Sequence, residues 1–498
     1  MKLSEIKNGI SPEWAEKGYQ MPTFDIQAVR EKTHKEPTWV HFGAGNIFRA
    51  FPAAILNEAL NSGKYDRGVI VAESFDYEII DKAYQPYDNL SLLVSLQSTG
   101  TIEKKVIASV TESLKADYQF EDWNRLVEIF RNPSLQMISF TITEKGYSVN
   151  PADLERGLKP VLAMGKVAAL LLERYNAGQL PLTVQSMDNC SHNGDKVKAG
   201  VIQYVKKWVA DGLAPAGFEA YVLDETKITF PWSMIDKITP RPHEKVQAML
   251  AADGFEDNYT NGRPPLELGG VMYTSRKTVD MVETMKVTTC LNPLHTAMSI
   301  YGCMLGYTLI SAEMADQDIR SFIQKLGYIE AMPVVTDPGV LNPYEFIGAV
   351  LNRRLPNPFM PDAPQRIAMD TSQKLAIRFG ETLKKYQERG LDKSNLVLIP
   401  LVLAGYARYL RGIDDSGNAF EPSPDPLLSE LQQIVAGLEV KEGEQDFSCL
   451  KKLYARTDVF GVDVYAMGLG EQIEGMVKEL YAGPGAVRKT LHKYVEAR

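Results

Sequence analysis

"PTWVHFGAGNIFRAFPAAILNEAL", residues 37–60, runs from an apolar β-rich segment through a G-x-G turn at Gly43 and Gly45 into a helical stretch. In a strand–turn–helix nucleotide site the first glycine makes the tight turn and the second lets backbone approach a pyrophosphate. The N-terminus of the following helix favours the negative charge. The next β-rich run, "RGVIVAES", ends in Glu73, where an acid accepts hydrogen bonds from adenosine ribose hydroxyls and disfavours a 2′-phosphate; Asp76 is a second candidate. Either acid favours NAD over NADP. Two features depart from the pattern: the third glycine position is Phe48, and Pro52 falls inside the expected helix, where proline is costly. A G-x-G by itself is often only a turn.

The surrounding chain carries this reading further. "SLLVSL", "LQMISFTIT" and "LPLTVQSMDN" are further β-rich runs, and "FPAAILNEALNSG" and "LKPVLAMGKVAALLLERYNAG" have helical periodicity. That alternation predicts an α/β architecture with a parallel sheet, a Rossmann-type dinucleotide-binding domain. From about Pro293 onward the apolar stretches become helical, with Gly, Pro and Asp at the breaks. The expected division is a Rossmann-type NAD-binding domain over residues 1–285 and a mostly helical substrate-binding and catalytic domain over 286–498. Clefts between domains commonly hold small-molecule sites.

Composition narrows the class. The chain has 498 residues, 45% hydrophobic and 23% charged, enough for a large core. A net charge of -9 predicts no general affinity for nucleic acid or an anionic membrane. No apolar run approaches the roughly 18 to 20 residues of a spanning helix, and the opening residues lack a signal-peptide core, so the cytoplasm is the default expectation. Cys190, Cys290, Cys303 and Cys449 are scattered, and the six histidines are dispersed, which argues against a disulfide framework and against metal as the catalytic engine.

Four polar motifs remain. "TITEKGY" places Thr143, Glu144 and Lys145 at the carboxyl edge of a strand, the usual ligand side, although a charged loop cap explains them equally. "SMDNCSHNGDKV" brings Asp188, Asn189 and Asn193 between a strand and a helix; such Asx-rich turns commonly only turn and cap the chain, with Asn189 at the strand end the one to keep. "TFPWSMIDKITPRP" sets Asp236 and Lys237 in an apolar stretch, either a salt-bridged loop or a carboxylate that orients a catalytic group.

The fourth is "KVTTCLNPLHTAMSIYG", residues 286–302. Asn292 and Pro293 read as an N-cap followed by a proline at the first helical position, with His295 in the first turn. A helix N-terminus pushes a histidine toward neutrality and favours an oxyanion nearby. Asn292 and His295, three apart, face one side. A desolvated Lys286 has the chemistry of a general base for a secondary alcohol. Against this, a lysine before a helix is usually solvated and a capping asparagine needs no substrate.

Taken in order, "FGAGNIFRAF", "TITEKGY", "SMDNCSHNG", "FPWSMIDKITP", "KVTTCLNPLHT" and "RIAMDTSQKLAIRF" resemble the polyol-specific long-chain dehydrogenase/reductase family, the mannitol dehydrogenase and fructuronate reductase group. The resemblance implies a metal-independent oxidoreductase using NAD, with its site between a Rossmann-type and a helical domain. It implies Lys286 as general base, and Asn292 and His295 as partners of the reacting oxygen. Asn189, Asp236, Lys374 and Arg378 would bind substrate, and Gly43, Gly45, Asn46, Ile47, Glu73, Thr143, Glu144 and Lys145 would bind cofactor. Lys286 stands six residues before Asn292, one more than is usual in the family, and a one-residue bulge at Thr288 to Cys290 would restore its place.

The expected reaction interconverts a ketose or keto-hexuronate with its alcohol. D-Fructuronate and D-mannonate are favoured, and mannitol/fructose and tagaturonate/altronate are the alternatives. An epimerase holding NAD and a non-catalytic NAD sensor are rivals of other classes. The partner is a small sugar alcohol or hexuronate, and the resemblance allows a monomer.

Overall fold

The computed structural model describes residues 1–96, 101–235, 239, 244–257, 276–360 and 362–498. These fall into two compact units, Met1–Val279 and Asp280–Arg498. Asp236 lies outside the described residues.

The first unit carries two sheets. Strands in chain order are β1 (Tyr19–Gln20), β2 (Trp39–Phe42), β3 (Val69–Glu73), β4 (Ser91–Leu96), β5 (Ile102–Ile107), β6 (Val110–Lys115), β7 (Met137–Phe140), β8 (Leu182–Ser186) and β9 (Ile228–Thr229). The main sheet has the order β6-β3-β2-β7-β8-β9, and every pairing in it is parallel. Counted along its own strands this is 3-2-1-4-5-6, the order whose reversal beside β2 makes the crevice of a Rossmann fold.

Alternation along the strands builds both faces. Val40, Phe42, Ile70, Ala72, Ile138 and Phe140 point into one core, beneath the helices Asp122–Arg131, Ala163–Asn176 and Asn193–Ala210. Val69 and Val71 point into the opposite one, with Phe48, Ala53 and Leu56. Period-two side chains buried on both sides are what a covered parallel sheet requires.

Two expectations change. "SLLVSL" forms β4, which pairs antiparallel with β5 in a separate three-stranded sheet. The place beside β3 goes to β6, "VTESLK", whose polar alternation hides it from a search for apolar runs. Nor does Pro52 sit inside a helix. The helix Asn46–Ala50 stops at Phe51 (φ -129°, ψ -75°), and a new helix, Pro52–Asn61, starts with proline in its first turn, where the missing N–H is no loss.

The second unit is helical. Its apolar helix Leu398–Tyr409 is buried along its whole length. π-Helical turns occur at Lys286–Cys290, Leu326–Ala331, Val350–Arg354 and Ala376–Gly380. Among the described residues no helix is long and apolar enough to cross a membrane.

Candidate active site

The glycine turn follows directly from β2. Gly43 has φ +104°, and a Cβ there would stand 2.3 Å from the Thr141 carbonyl oxygen, so backbone strain and space both require glycine. Gly45 is different: a Cβ would meet nothing within 4 Å, so its face is open to an approaching group. That open face at the carboxyl end of the central strand fits a dinucleotide pyrophosphate. Asn46 and Ile47 follow it; the Asn46 carboxamide accepts from Arg49, and Ile47 packs on a small cluster of Phe51, Met187 and Ile235.

His41, a residue the sequence reading passed over, supports this turn from below. It is fully buried, stacked on Phe48 at 4.2 Å, and its ring nitrogens meet Ser139 Oγ at 2.7 Å and Thr141 Oγ1 at 2.8 Å. Burial pushes its pKa down to about 3. Phe48 therefore fills, as a stacking partner, the position where a third glycine would usually let helix and strand approach.

Glu73 ends β3 and is buried. One carboxylate oxygen accepts from Ala44 N at 2.8 Å, and the other from the N–H groups of Ser74 (2.9 Å), Phe75 (2.9 Å) and Asp76 (3.3 Å). These four bonds match the roughly four acceptor sites of a carboxylate. Glu73 thus staples the glycine turn to the end of β3, while Asp76 is exposed.

The "TITEKGY" loop is exposed at Thr143, Glu144 and Lys145, and Glu144 pairs with Lys196. Thr143 has φ +64°, ψ 162°, a strained conformation for a residue with a branched Cβ. Asp188 holds it there: its carboxylate accepts from Ile142 N at 3.0 Å, Thr143 N at 2.9 Å and the Tyr147 hydroxyl. Burial raises the Asp188 pKa. Asn193 is equally structural. Its amide donates to the Asp188 and Ser233 carbonyls, each at 3.1 Å, and its oxygen accepts from Ser233 N at 3.0 Å, clipping two loops together. Asn189, between these residues, is exposed.

In the second unit, Lys286 is 7% exposed and opens a π turn closed by Leu291 N to the Lys286 carbonyl at 3.1 Å. A π turn holds one more residue than an α turn, so the long Lys286–Asn292 spacing is absorbed here. The N-cap expectation is corrected: Leu291 (φ -136°, ψ -65°) takes the cap position, without a side-chain cap bond, and Asn292 is the first residue of the helix Asn292–Met304. The π turn ahead of it shifts the boundary by one residue. Asn292 and His295, both half-buried, still lie one turn apart on that helix.

The Lys286–Cys290 turn packs against the second π turn, Ala376–Gly380, and Thr382 Oγ1 donates to the Thr288 carbonyl at 3.1 Å. Arg378, carried on that second turn, donates to Thr296 Oγ1, next to His295. Burial pushes its guanidinium down to about 10, so it stays charged near neutrality. The Lys374 ammonium instead donates to the carbonyls of Ile367 (3.2 Å) and Met369; burial and then the nearby Arg378 lower its pKa. The structure therefore groups Lys286, Asn292, His295 and Arg378 on elements in direct contact, and ties Lys374 into its own loop. Asn189 belongs to the first unit.

Comparison with known proteins bears on what this arrangement is. Residues 37–258 match the mannitol dehydrogenase Rossmann domain and residues 278–481 the mannitol dehydrogenase C-terminal domain. The chain belongs to the mannitol dehydrogenase family. A D-mannonate oxidoreductase of Thermotoga maritima is 47% identical, over 97% of both chains. Among solved structures, a substrate-free D-sorbitol dehydrogenase matches with a TM-score of 0.75 at 22% identity, covering 96% of this chain and 97% of that one. A Pseudomonas fluorescens mannitol 2-dehydrogenase, in a ternary complex with NAD and D-mannitol, matches over 100% of both chains with a TM-score of 0.62 at 21% identity. Membership of the mannitol dehydrogenase family makes the protein an oxidoreductase with a Rossmann domain and a mainly helical C-terminal domain.

Proposed function

We propose that this protein is an NAD-dependent D-mannonate oxidoreductase that reduces D-fructuronate to D-mannonate and catalyses the reverse. The observation that carries the reading is 47% identity, end to end, with the Thermotoga maritima D-mannonate oxidoreductase. Residues 1–285 handle the nucleotide and residues 286–498 carry the acid–base chemistry. Gly43, Gly45, Asn46, Ile47 and the Thr143–Lys145 loop cradle the cofactor. Glu73 keeps 2′-phosphates away by its charge, and the exposed Asp76 is left to accept from the ribose hydroxyls.

Bound NADH supplies the hydride. In the reductive direction the substrate ketone gains that hydride at carbon and a proton at oxygen, and Lys286 gives the proton from its ammonium. The neutral lysine that results takes the proton back in the oxidative direction. Asn292 and His295 hold the reacting oxygen and stabilise the charge that gathers on it.

Arg378 supports a hexuronate over a polyol: it is a cation on an element touching that of Lys286, and a hexuronate has a carboxylate where fructose has a neutral hydroxyl. Asn189, Asp236 and Lys374 complete the substrate contacts. The reaction in this reading is metal-independent, with Lys286 moving the proton. None of the four cysteines forms a disulfide, which suits a reducing cytoplasm.

The test is NADH consumption with D-fructuronate, D-tagaturonate and D-fructose in parallel, with and without EDTA, repeated with Lys286→Ala. D-Fructuronate should turn over fastest, insensitively to EDTA, and by roughly 100-fold or more faster than in the variant. Preference for another substrate, or an unimpaired variant, overturns the reading.

A further inference from the structure

The end of β3 displays an aromatic ring that the fold does not use. Phe75 is 91% exposed, whereas the next most exposed large hydrophobic among the described residues, Tyr344, is 61% exposed. Isolated exposed apolar residues are common and by themselves mark no site. The backbone at Phe75 is fixed from both sides. In front, the Ser74, Phe75 and Asp76 N–H groups converge on one oxygen of Glu73, whose other oxygen reaches Ala44 in the glycine turn. Behind, the Ser74 carbonyl accepts from Tyr77 Oη at 3.0 Å and from Lys166 Nζ at 3.2 Å. Lys166 is fully buried and ion-paired with Asp117 at 2.8 Å; Asp117 also lies 2.9 Å from Tyr77 Oη, whose one proton it shares with the Ser74 carbonyl. A lysine, an aspartate and a tyrosine are thus committed to one carbonyl next to an exposed ring.

The ring stands where the adenosine half of a dinucleotide lies, past the carboxyl end of the strand after the glycine turn. We propose that Phe75 is the platform on which the adenine of the cofactor stacks, with the Glu73 staple and the Lys166–Asp117–Tyr77 network as its positioning residues. The proposal rests on the NAD reading above. Stacking covers the exposed face of Phe75 and one face of adenine, and demands no hydrogen bond from a residue that has none to give. It also gives the buried Lys166 a purpose beyond packing: a displayed ring on loose backbone would lose much of its stacking energy to ordering.

The test compares NADH with reduced nicotinamide mononucleotide, which lacks adenine, in fluorescence titrations of wild type, Phe75→Ala and Phe75→Trp. Phe75→Ala should weaken NADH binding by roughly 5- to 150-fold, the range of base–aromatic stacking. It should leave the mononucleotide within about twofold and the melting temperature unchanged, since the side chain is solvent-exposed. Phe75→Trp should restore NADH binding. Equal NADH affinity in Phe75→Ala, or an equal loss for both ligands, overturns the adenine assignment while sparing the NAD reading. A wild type that binds no NADH overturns both.

Discussion

Glu313→Gln should stabilise the helical unit, in a way that depends on pH. Glu313 is fully buried, and neither carboxyl oxygen has a hydrogen-bond partner. It lies so close to Gly302 that a Cβ there would come within 1.8 Å of Oε1. Burial, and secondarily the charge of Asp316, raise its pKa from 4.5 to about 9. The folded state therefore holds a proton that the unfolded state releases above pH 4.5, and stability falls as pH rises from there toward 9. At 1.36 kcal/mol per pH unit, holding the proton costs about 3 kcal/mol at pH 7. Glutamine has the same shape and no proton to hold, so the variant should gain about that much at pH 7 and little at pH 4.5. For a unit of this size the gain corresponds to a rise of roughly 6 to 12 °C in melting temperature. Calorimetry at pH 5, 7 and 8.5 reads it directly. A gain as large at pH 5 as at pH 7, or a loss at pH 7, would refute the reasoning.

Other perturbations have equally definite outcomes. His41 is neutral in the fold with a pKa near 3, so the Rossmann unit should lose stability as pH falls below about 6.5; acid titrations of His41→Gln should be flatter, and a slope equal to wild type would remove His41 as the cause. Asp188→Ala frees two backbone N–H groups and the Tyr147 hydroxyl. It should cost about 2 to 4 kcal/mol in urea denaturation and weaken NADH binding through the Thr143 loop; unchanged stability would contradict its role as the loop's anchor. Glu330 caps Leu398–Tyr409 by accepting from Val397, Leu398 and Ile399 N–H groups, so Glu330→Ala should cost about 3 kcal/mol or more, and a neutral result would show the cap is replaceable. Arg378→Ala should raise KM for D-fructuronate about 10-fold or more and leave D-fructose unaffected; equal effects on both would argue against a carboxylate contact.

Much of this was readable in the chain because the relevant forces are local. The G-x-G turn, the strand before it and the acid after it follow from backbone sterics and side-chain alternation, and the helical second half from periodicity. β6 was not readable, since "VTESLK" owes its place to pairing with β3 rather than to its own hydrophobicity. Pro52 misled for the opposite reason: proline that breaks one helix equally well begins another. At the site, spacing brought Lys286, Asn292 and His295 together but could not reveal the π turn that seats them. The roles of Glu73 and Asp188 depend on which N–H groups converge on them, Ala44 in one case and Ile142 and Thr143 in the other. Such long-range convergence leaves no mark in the neighbouring residues.

The central claim is direct hydride transfer between nicotinamide and a hexuronate carbonyl. Its most direct measurement is reduction of D-fructuronate with NADH deuterated on the transferring face, followed by mass spectrometry of the product. The account predicts D-mannonate carrying one deuterium at the new carbinol carbon, formed in step with NAD. Conversion of a sugar acid without net NADH oxidation, or a reduced product without the label, would contradict it.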